Sequence, residues 1–168
     1  MSGEDLVLDI GCGHQSRGDV NVDLYPGSTQ HRIDEAGNPI VVNTKLIPNF
    51  VRADAQFLPF KDECFSTVRS SHVIEHVAHP MLMLKEMLRV SKVEVVVICP
   101  HRYGVNAKKP THINFFNLKW FHKAFSAFKN VYAIETSTTQ FRYFPQLLFP
   151  LFQLPSEIKV VVRKRKRG

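Results

Sequence analysis

Apolar and polar positions along the chain fall into short blocks rather than one long repeat. Leu6, Val7, Leu8 and Ile10 flank Asp9 in a β-prone run that stops at Gly11-Cys12-Gly13, the pattern of a buried strand ending in a turn. Residues 20–24 (Val-Asn-Val-Asp-Leu) have the same form and are closed by Pro26-Gly27. Residues 27–48 are polar and punctuated by Gly37, Pro39 and Pro48, which predicts at most a short helix or hairpin. Residues 50–54 and 65–70 predict a third and a fourth strand. Pro80 can open a helix at its first turn, and Met81, Leu84, Met87 and Leu88 then recur at helical spacing up to Arg89. Residues 93–99 (Val-Glu-Val-Val-Val-Ile-Cys) predict a fifth strand, apolar enough to be central. Asn117 caps a second helix that carries Leu118, Phe121, Phe125 and Phe128. Residues 131–135 and 158–162 are the last predicted strands. Strands alternating with helices predict an α/β domain built on parallel pairing.

Length and composition sharpen this picture. A chain of 168 residues favours one domain, and such a domain buries roughly 70% of its unfolded surface. Hydrophobic residues make 44% and charged residues 22%, which is ordinary globular usage and excludes disorder for most of the length. The net charge is +7, but residues 163–167 alone hold five cations. The basic character therefore belongs mainly to the end of the chain, giving an expected domain over residues 1–162 and a basic tail over 163–168. A domain-wide nucleic-acid footprint is not implied. The tail itself can track RNA phosphates or an anionic lipid surface.

Cys12, Cys64 and Cys99 form neither a disulfide framework nor a paired metal site, and such sparse use suits a reducing cytosol. Asp5 interrupts the layout of a secretory signal. No run approaches the roughly 18 apolar residues of a spanning helix, and Pro145 and Pro150 break the greasy segment at residues 141–154, with Pro155 directly after it. Packing on the sheet is the first reading of that segment, with a dimer face, the lining of an acceptor pocket or, together with the basic tail, a membrane surface as the alternatives. The expectation is a soluble, cytoplasmic protein without a transmembrane segment.

Ligands of open α/β sheets bind beyond the carboxyl ends of the strands. Three successive strand ends here carry an acid: Asp9 with its glycine turn, Asp23, and Asp54. Glycines at 11 and 13 let backbone come close to a ligand, because no Cβ intervenes. An acid closing the second strand can accept both hydroxyls of a ribose. Asp54 can accept from an exocyclic amine while the Ala55 N–H donates to a ring nitrogen. A dinucleotide does not fit, since Ser16 stands at the third glycine position and nine residues separate Gly13 from Asp23, too few for a full helix plus the next strand. Pyrophosphate would also face several carboxylates. No Gly-Lys-Ser/Thr follows, which excludes a P-loop. A cationic sulfonium nucleoside suits an acid-rich slot without phosphate sites.

Four motifs in order, Leu-Val-Leu-Asp-Ile-Gly-Cys-Gly at 6–13, Val-Asn-Val-Asp at 20–23, Asp54-Ala55 with Leu58-Pro59-Phe60, and His-Val-Ile-Glu-His-Val at 72–77, resemble class I S-adenosylmethionine-dependent methyltransferases, the small type 11-like ones in particular. The resemblance covers about residues 5–100, with an echo at His112-Ile-Asn-Phe-Phe. It implies a compact Rossmann-like seven-strand methyltransferase sheet, with the helix after the first strand missing or very short. It implies S-adenosylmethionine as cofactor and an unidentified methyl acceptor. By the same resemblance Gly11 and Gly13 face the methionine moiety, with Asp9 near its amino group and Cys12 between them as a packing residue rather than a nucleophile. Asp23 holds the ribose, Leu24 lies against the adenine, Asp54 and Ala55 read its edge, and Ser71 contacts the methionine portion by its backbone. His72, His101 and His112 are the candidate bases, because imidazole titrates near neutrality. The missing helix makes a non-catalytic nucleoside-binding or scaffold protein the competing reading.

The string His72-Val73-Ile74-Glu75-His76 also carries the inverted zincin pattern, and with His112 downstream it can hold a divalent ion. The reading favoured from sequence is structural: Glu75-His76 falls on a Leu-Glu-His-like motif and serves by hydrogen bonding, with no metal ligand assigned. A protease would leave Asp9, Asp23 and Asp54 unexplained.

Overall fold

A computed structural model describes residues 5–25, 42–141 and 154–165. Its strands are β1 (Val7–Ile10), β2 (Val20–Asp23), β3 (Phe50–Arg52), β4 (Phe65–Ser71), β5 (Ser91–Pro100), β6 (Val131–Phe141) and β7 (Leu154–Lys164). Two α-helices, α1 (Pro80–Val90) and α2 (Leu118–Ser126), and two 3-10 turns, Thr44–Leu46 and Val105–Lys108, complete the described elements. The seven strands form one sheet in the order β3-β2-β1-β4-β5-β7-β6. The first five pair in parallel, whereas β7 runs antiparallel to both β5 and β6. The expected α/β class and seven-strand sheet are both present.

The apolar run of β5 places it inside the sheet, where Val95, Val97 and Cys99 are fully buried. On β7 the alternate residues Ile158, Val160 and Val162 are buried too, as the period of two requires. Helix α1 opens at Pro80 and buries Met83, Leu84, Met87 and Leu88, while Met81 stays exposed. In α2 the Asn117 side chain caps the Trp120 N–H at 2.9 Å, and Phe121 and Phe125 are wholly buried. Each such aromatic contributes about 2–3 kcal/mol by leaving water.

No helix follows β1. Parallel neighbours normally need a crossover of a dozen or more residues, yet residues 11–19 alone join β1 to β2, through turns and bends. Polar side chains replace the missing helix. Asp19 accepts from the Val7 N–H at 2.8 Å and returns its own N–H to the Val7 carbonyl at 2.9 Å, so the two strands start side by side. Asn21, fully buried, accepts from the Gly18 N–H (3.1 Å) and donates to the carbonyls of Gly18 (2.9 Å) and Pro48 (2.8 Å). Asn21→Ala is expected to cost about 2 kcal/mol in denaturant unfolding, because it removes three hydrogen bonds of a buried amide and leaves part-buried Gly18 and Pro48 backbone groups short of partners. A loss under about 0.5 kcal/mol, the scale of a neutral surface change, would mean that the brace is dispensable.

Several predicted boundaries move. β3 ends at Arg52, before Asp54, and β5 begins at Ser91. β6 and β7 extend well beyond residues 131–135 and 158–162. The basic stretch does not start as a tail, since Arg163 and Lys164 lie within β7. Lys164 is buried and donates to the Glu63 carboxylate (3.2 Å) and the Ser91 carbonyl, and Arg163 pairs with Glu94 and Glu135. Residues 166–168, the Pro26-Gly27 turn, Gly37, Pro39 and residues 142–153 of the aromatic segment lie outside the described residues. Among the described residues no helix is long and apolar enough to cross a membrane.

Candidate functional site

The carboxyl ends of β1, β2 and β4 open on one edge of the sheet, beside the loop that follows β3. Gly11 and Gly13 adopt positive φ, +71° and +55°, and the N–H groups of Gly11 and Cys12 both reach the Val22 carbonyl, at 2.7 and 3.1 Å. A Cβ on Gly11 would stand 2.0 Å from Val73 Cγ2, so glycine is required there by space as well as by conformation. Cys12 turns inward and packs with Val42 and Ile47, in keeping with a packing role.

Each acid is fixed by local hydrogen bonds. Asp23 accepts from the Gly13 N–H (3.1 Å) and the Tyr25 N–H (2.9 Å), so it braces the glycine turn as well as facing the cleft. Asp54 accepts from the backbone and side-chain N–H groups of Gln56, at 2.8 and 3.1 Å. Buried Gln56 in turn accepts from the His79 N–H (2.8 Å) ahead of α1, tying Asp54 to that helix. Asp9 accepts from the Arg17 N–H (2.9 Å) and lies 3.4 Å from Arg69 Nε.

Burial pushes the Asp9 carboxyl above its ordinary value, against the opposing pull of the Arg17 N–H and the Arg69 and Arg17 charges. The folded state therefore keeps this proton to higher pH than the unfolded chain does. Its contribution to stability is present in acid and lost as pH rises from the unfolded value through the raised folded one. Asp9→Asn, which keeps an acceptor for Arg17, is expected to remove that slope and hold stability within about 1 kcal/mol at neutral pH. Unfolding followed across acid and neutral pH checks it.

Two compartments adjoin over these strand ends. One, of about 400 Å³, is lined by Gly11, Asp23, Leu24, Asp54 and Ala55, together with Gln56 and His76. The other, of about 540 Å³, is lined by Asp9, Gly11, Cys12, Gly13 and Ser71, together with Arg69 and Glu157. Gly11 and His72 line both. All nine residues expected at a cofactor thus fall on one two-part cleft of small-molecule size.

The candidate bases do not converge. His72 lines the cleft in left-handed backbone (φ +56°), with Nε2 2.9 Å from Glu157 and Nδ1 3.3 Å from Glu75. Contact with Glu75 chiefly, and Glu157 in addition, raises its pKa against the effect of burial, a shift that favours the protonated ring over the free base. His101 is buried, receives the Tyr103 N–H at 3.3 Å, and is lowered by burial and then by Arg102. Neither His101 nor His112 lines either compartment. Gln56, Arg69, His76 and Glu157 are additional lining residues beyond those expected from sequence.

Residues 8–99 match the family described as a methyltransferase domain. The chain is 27% identical over 166 residues to a demethylmenaquinone methyltransferase of Roseiflexus sp. (strain RS-1), an alignment spanning 94% of this chain and 65% of that protein. It spans about a third of the mycobacterial methyltransferases it also matches. The fold is similar to a SAM-dependent methyltransferase of Thermotoga maritima (TM-score 0.66, 16% identity, 96% of this chain and 83% of that one). It is also similar to a magnesium protoporphyrin IX methyltransferase of Synechocystis PCC 6803 with bound SAH (TM-score 0.60, 14% identity, 95% and 74%).

Proposed function

This chain belongs to the methyltransferase domain family, and on that premise we propose that it binds S-adenosylmethionine in the two-part cleft and methylates an acceptor held beside it. One observation carries the reading: residues from the ends of β1, β2 and β4 and from the loop after β3 meet around the Gly11 turn. The residues fit such a cofactor. Three carboxylates suit a ligand with a sulfonium and an ammonium group, and Gly11 lines both compartments of the cleft. When bound, the cofactor supplies an electrophilic methyl group on sulfur.

The chain's own residues bind and orient. Asp23 holds the ribose hydroxyls, its carboxylate fixed by the Gly13 and Tyr25 N–H groups. Leu24 lies against the adenine, and Asp54 and Ala55 read its edge. Asp9, the Gly11-Cys12-Gly13 turn and Ser71 serve the methionine end. Alignment of acceptor and methyl is the main contribution to rate, and none of the three histidines is assigned as base. RNA draws little support as the acceptor, because two of the five cations that suggested it are paired inside the fold.

Calorimetry should show one S-adenosylmethionine, and equally one demethylated product, bound per chain at micromolar level. Incubation of labelled cofactor with fractionated cell extract should then label an acceptor. No binding overturns the proposal, and binding without transfer to any fraction favours a non-catalytic nucleoside-binding protein.

A further inference from the structure

We propose that Glu75, His76 and His112 form a binding site for one divalent transition-metal ion of the zinc class, at the rim of the cleft. The three side chains each offer a ligand atom, and these atoms lie within 4.8 Å of one another. A tetrahedral ion with bonds of about 2.1 Å asks for ligand atoms about 3.4 Å apart, so closing on it takes shifts of side-chain scale.

The site is built by backbone as well as by side chains. The N–H groups of Ile113 and Asn114 both donate to the Glu75 carbonyl, at 3.0 and 3.1 Å, and Asn114 Nδ2 donates to the Val77 carbonyl at 2.8 Å. These bonds fasten the loop bearing His112 to the segment bearing Glu75 and His76. The two rings meet edge to face, centroids 4.7 Å apart.

Proton placement favours a cation. His76 Nδ1 lies 2.9 Å from the Thr111 carbonyl, and His112 Nδ1 lies 3.0 Å from the Ala107 carbonyl. A carbonyl oxygen only accepts, so each Nδ1 carries the proton and each neutral ring holds its lone pair on Nε2. Backbone carbonyls orient metal-binding histidines in the same way. Glu75 is 1% exposed, and neither of its carboxylate oxygens receives a hydrogen bond. The imidazole beside it is His72, whose Nδ1 stands 3.3 Å from Oε1. A carboxylate buried this deeply calls for a stronger partner than one half-exposed imidazole. Two imidazoles and one carboxylate are a ligand set for zinc that leaves a coordination position open. His76 and Ile113 also line the compartment that holds Asp23 and Asp54, so the ion would stand beside the proposed cofactor pocket.

The test uses the full chain, stripped with chelator and free of cofactor, so its outcome is separate from that of the methyltransferase proposal. Titration with Co²⁺ should give a visible absorption band that saturates at one ion per chain and is displaced by Zn²⁺. His112→Gln and His76→Gln should each weaken binding by about tenfold or more, while His122→Gln, on the exposed side of α2, should leave it unchanged. Circular dichroism of the metal-free variants reports folding. X-ray absorption of the Zn²⁺-loaded wild type should show two imidazoles and no sulfur, which decides the matter even where a variant does not fold. The absence of stoichiometric binding, unchanged affinity in folded His112→Gln, or any other ligand set overturns the site.

Discussion

Asp23→Ala should weaken binding of S-adenosylmethionine about 100-fold while the fold survives. In the proposed ribose role the carboxylate accepts two hydroxyls, and charge-assisted hydrogen bonds contribute about 1.5–3 kcal/mol each. The lower end of that range, taken twice, is about 3 kcal/mol, or roughly two decades in affinity. The substitution also releases the N–H groups of Gly13 and Tyr25. Tyr25 is exposed and Gly13 only half-buried, so water replaces much of what is lost, and stability should fall by about 1 kcal/mol. Asp23→Asn keeps one acceptor oxygen and should lie between, with about a tenfold loss. Because the ribose is remote from sulfur, the demethylated product should weaken by the same factor. Calorimetry with both ligands, beside denaturant unfolding, measures all three effects. Affinity unchanged within about threefold, the scale of a surface change, would leave Asp23 a turn brace and refute the ribose assignment.

The readable part of this site was the local part. Asp9, Asp23 and the glycine turn announce themselves because each closes a short apolar run, and Asp54 follows a third. Residues that arrive from distant elements carry no such mark. Glu157 meets His72 across 85 positions, because β7 inserts between β5 and β6 out of chain order. Buried Asn21 did leave a trace, since asparagine is depleted in strands, but its partners Gly18 and Pro48 become visible only once the chain folds. The predicted sixth strand stopped at Glu135 where the apolar residues end. Beyond it lie Thr136, Thr138 and Thr139, which suit an edge strand held by pairing to β7. The basic stretch misled by composition. The period-two pattern of Ile158, Val160 and Val162 continues to Lys164, and so buries that lysine against Ser91 and Glu63.

Gly11→Ala should destabilise the protein by about 3 kcal/mol, the sum of two separable effects. Left-handed backbone costs a residue with a Cβ about 1–2 kcal/mol, and Gly11 stands at φ +71°. The added methyl would lie 2.0 Å from Val73 Cγ2 and 3.3 Å from Val73 Cβ, an overlap of the kind that costs about 1–3 kcal/mol when packing has to shift. The second effect has a single partner, so a double-mutant cycle isolates it. Val73→Ala alone loses apolar contact with the core it packs against. Combined with Gly11→Ala it should return about 1–2 kcal/mol relative to the sum of the single losses, since the overlapping methyl is gone while the backbone strain and the close approach to Cβ remain. Cofactor binding is expected to fall in Gly11→Ala and to recover only in part in the double variant, because the new methyl still stands where the two compartments join. Additive losses in the cycle would show that Val73 turns aside freely, and the demand for glycine at this position would then rest on φ alone.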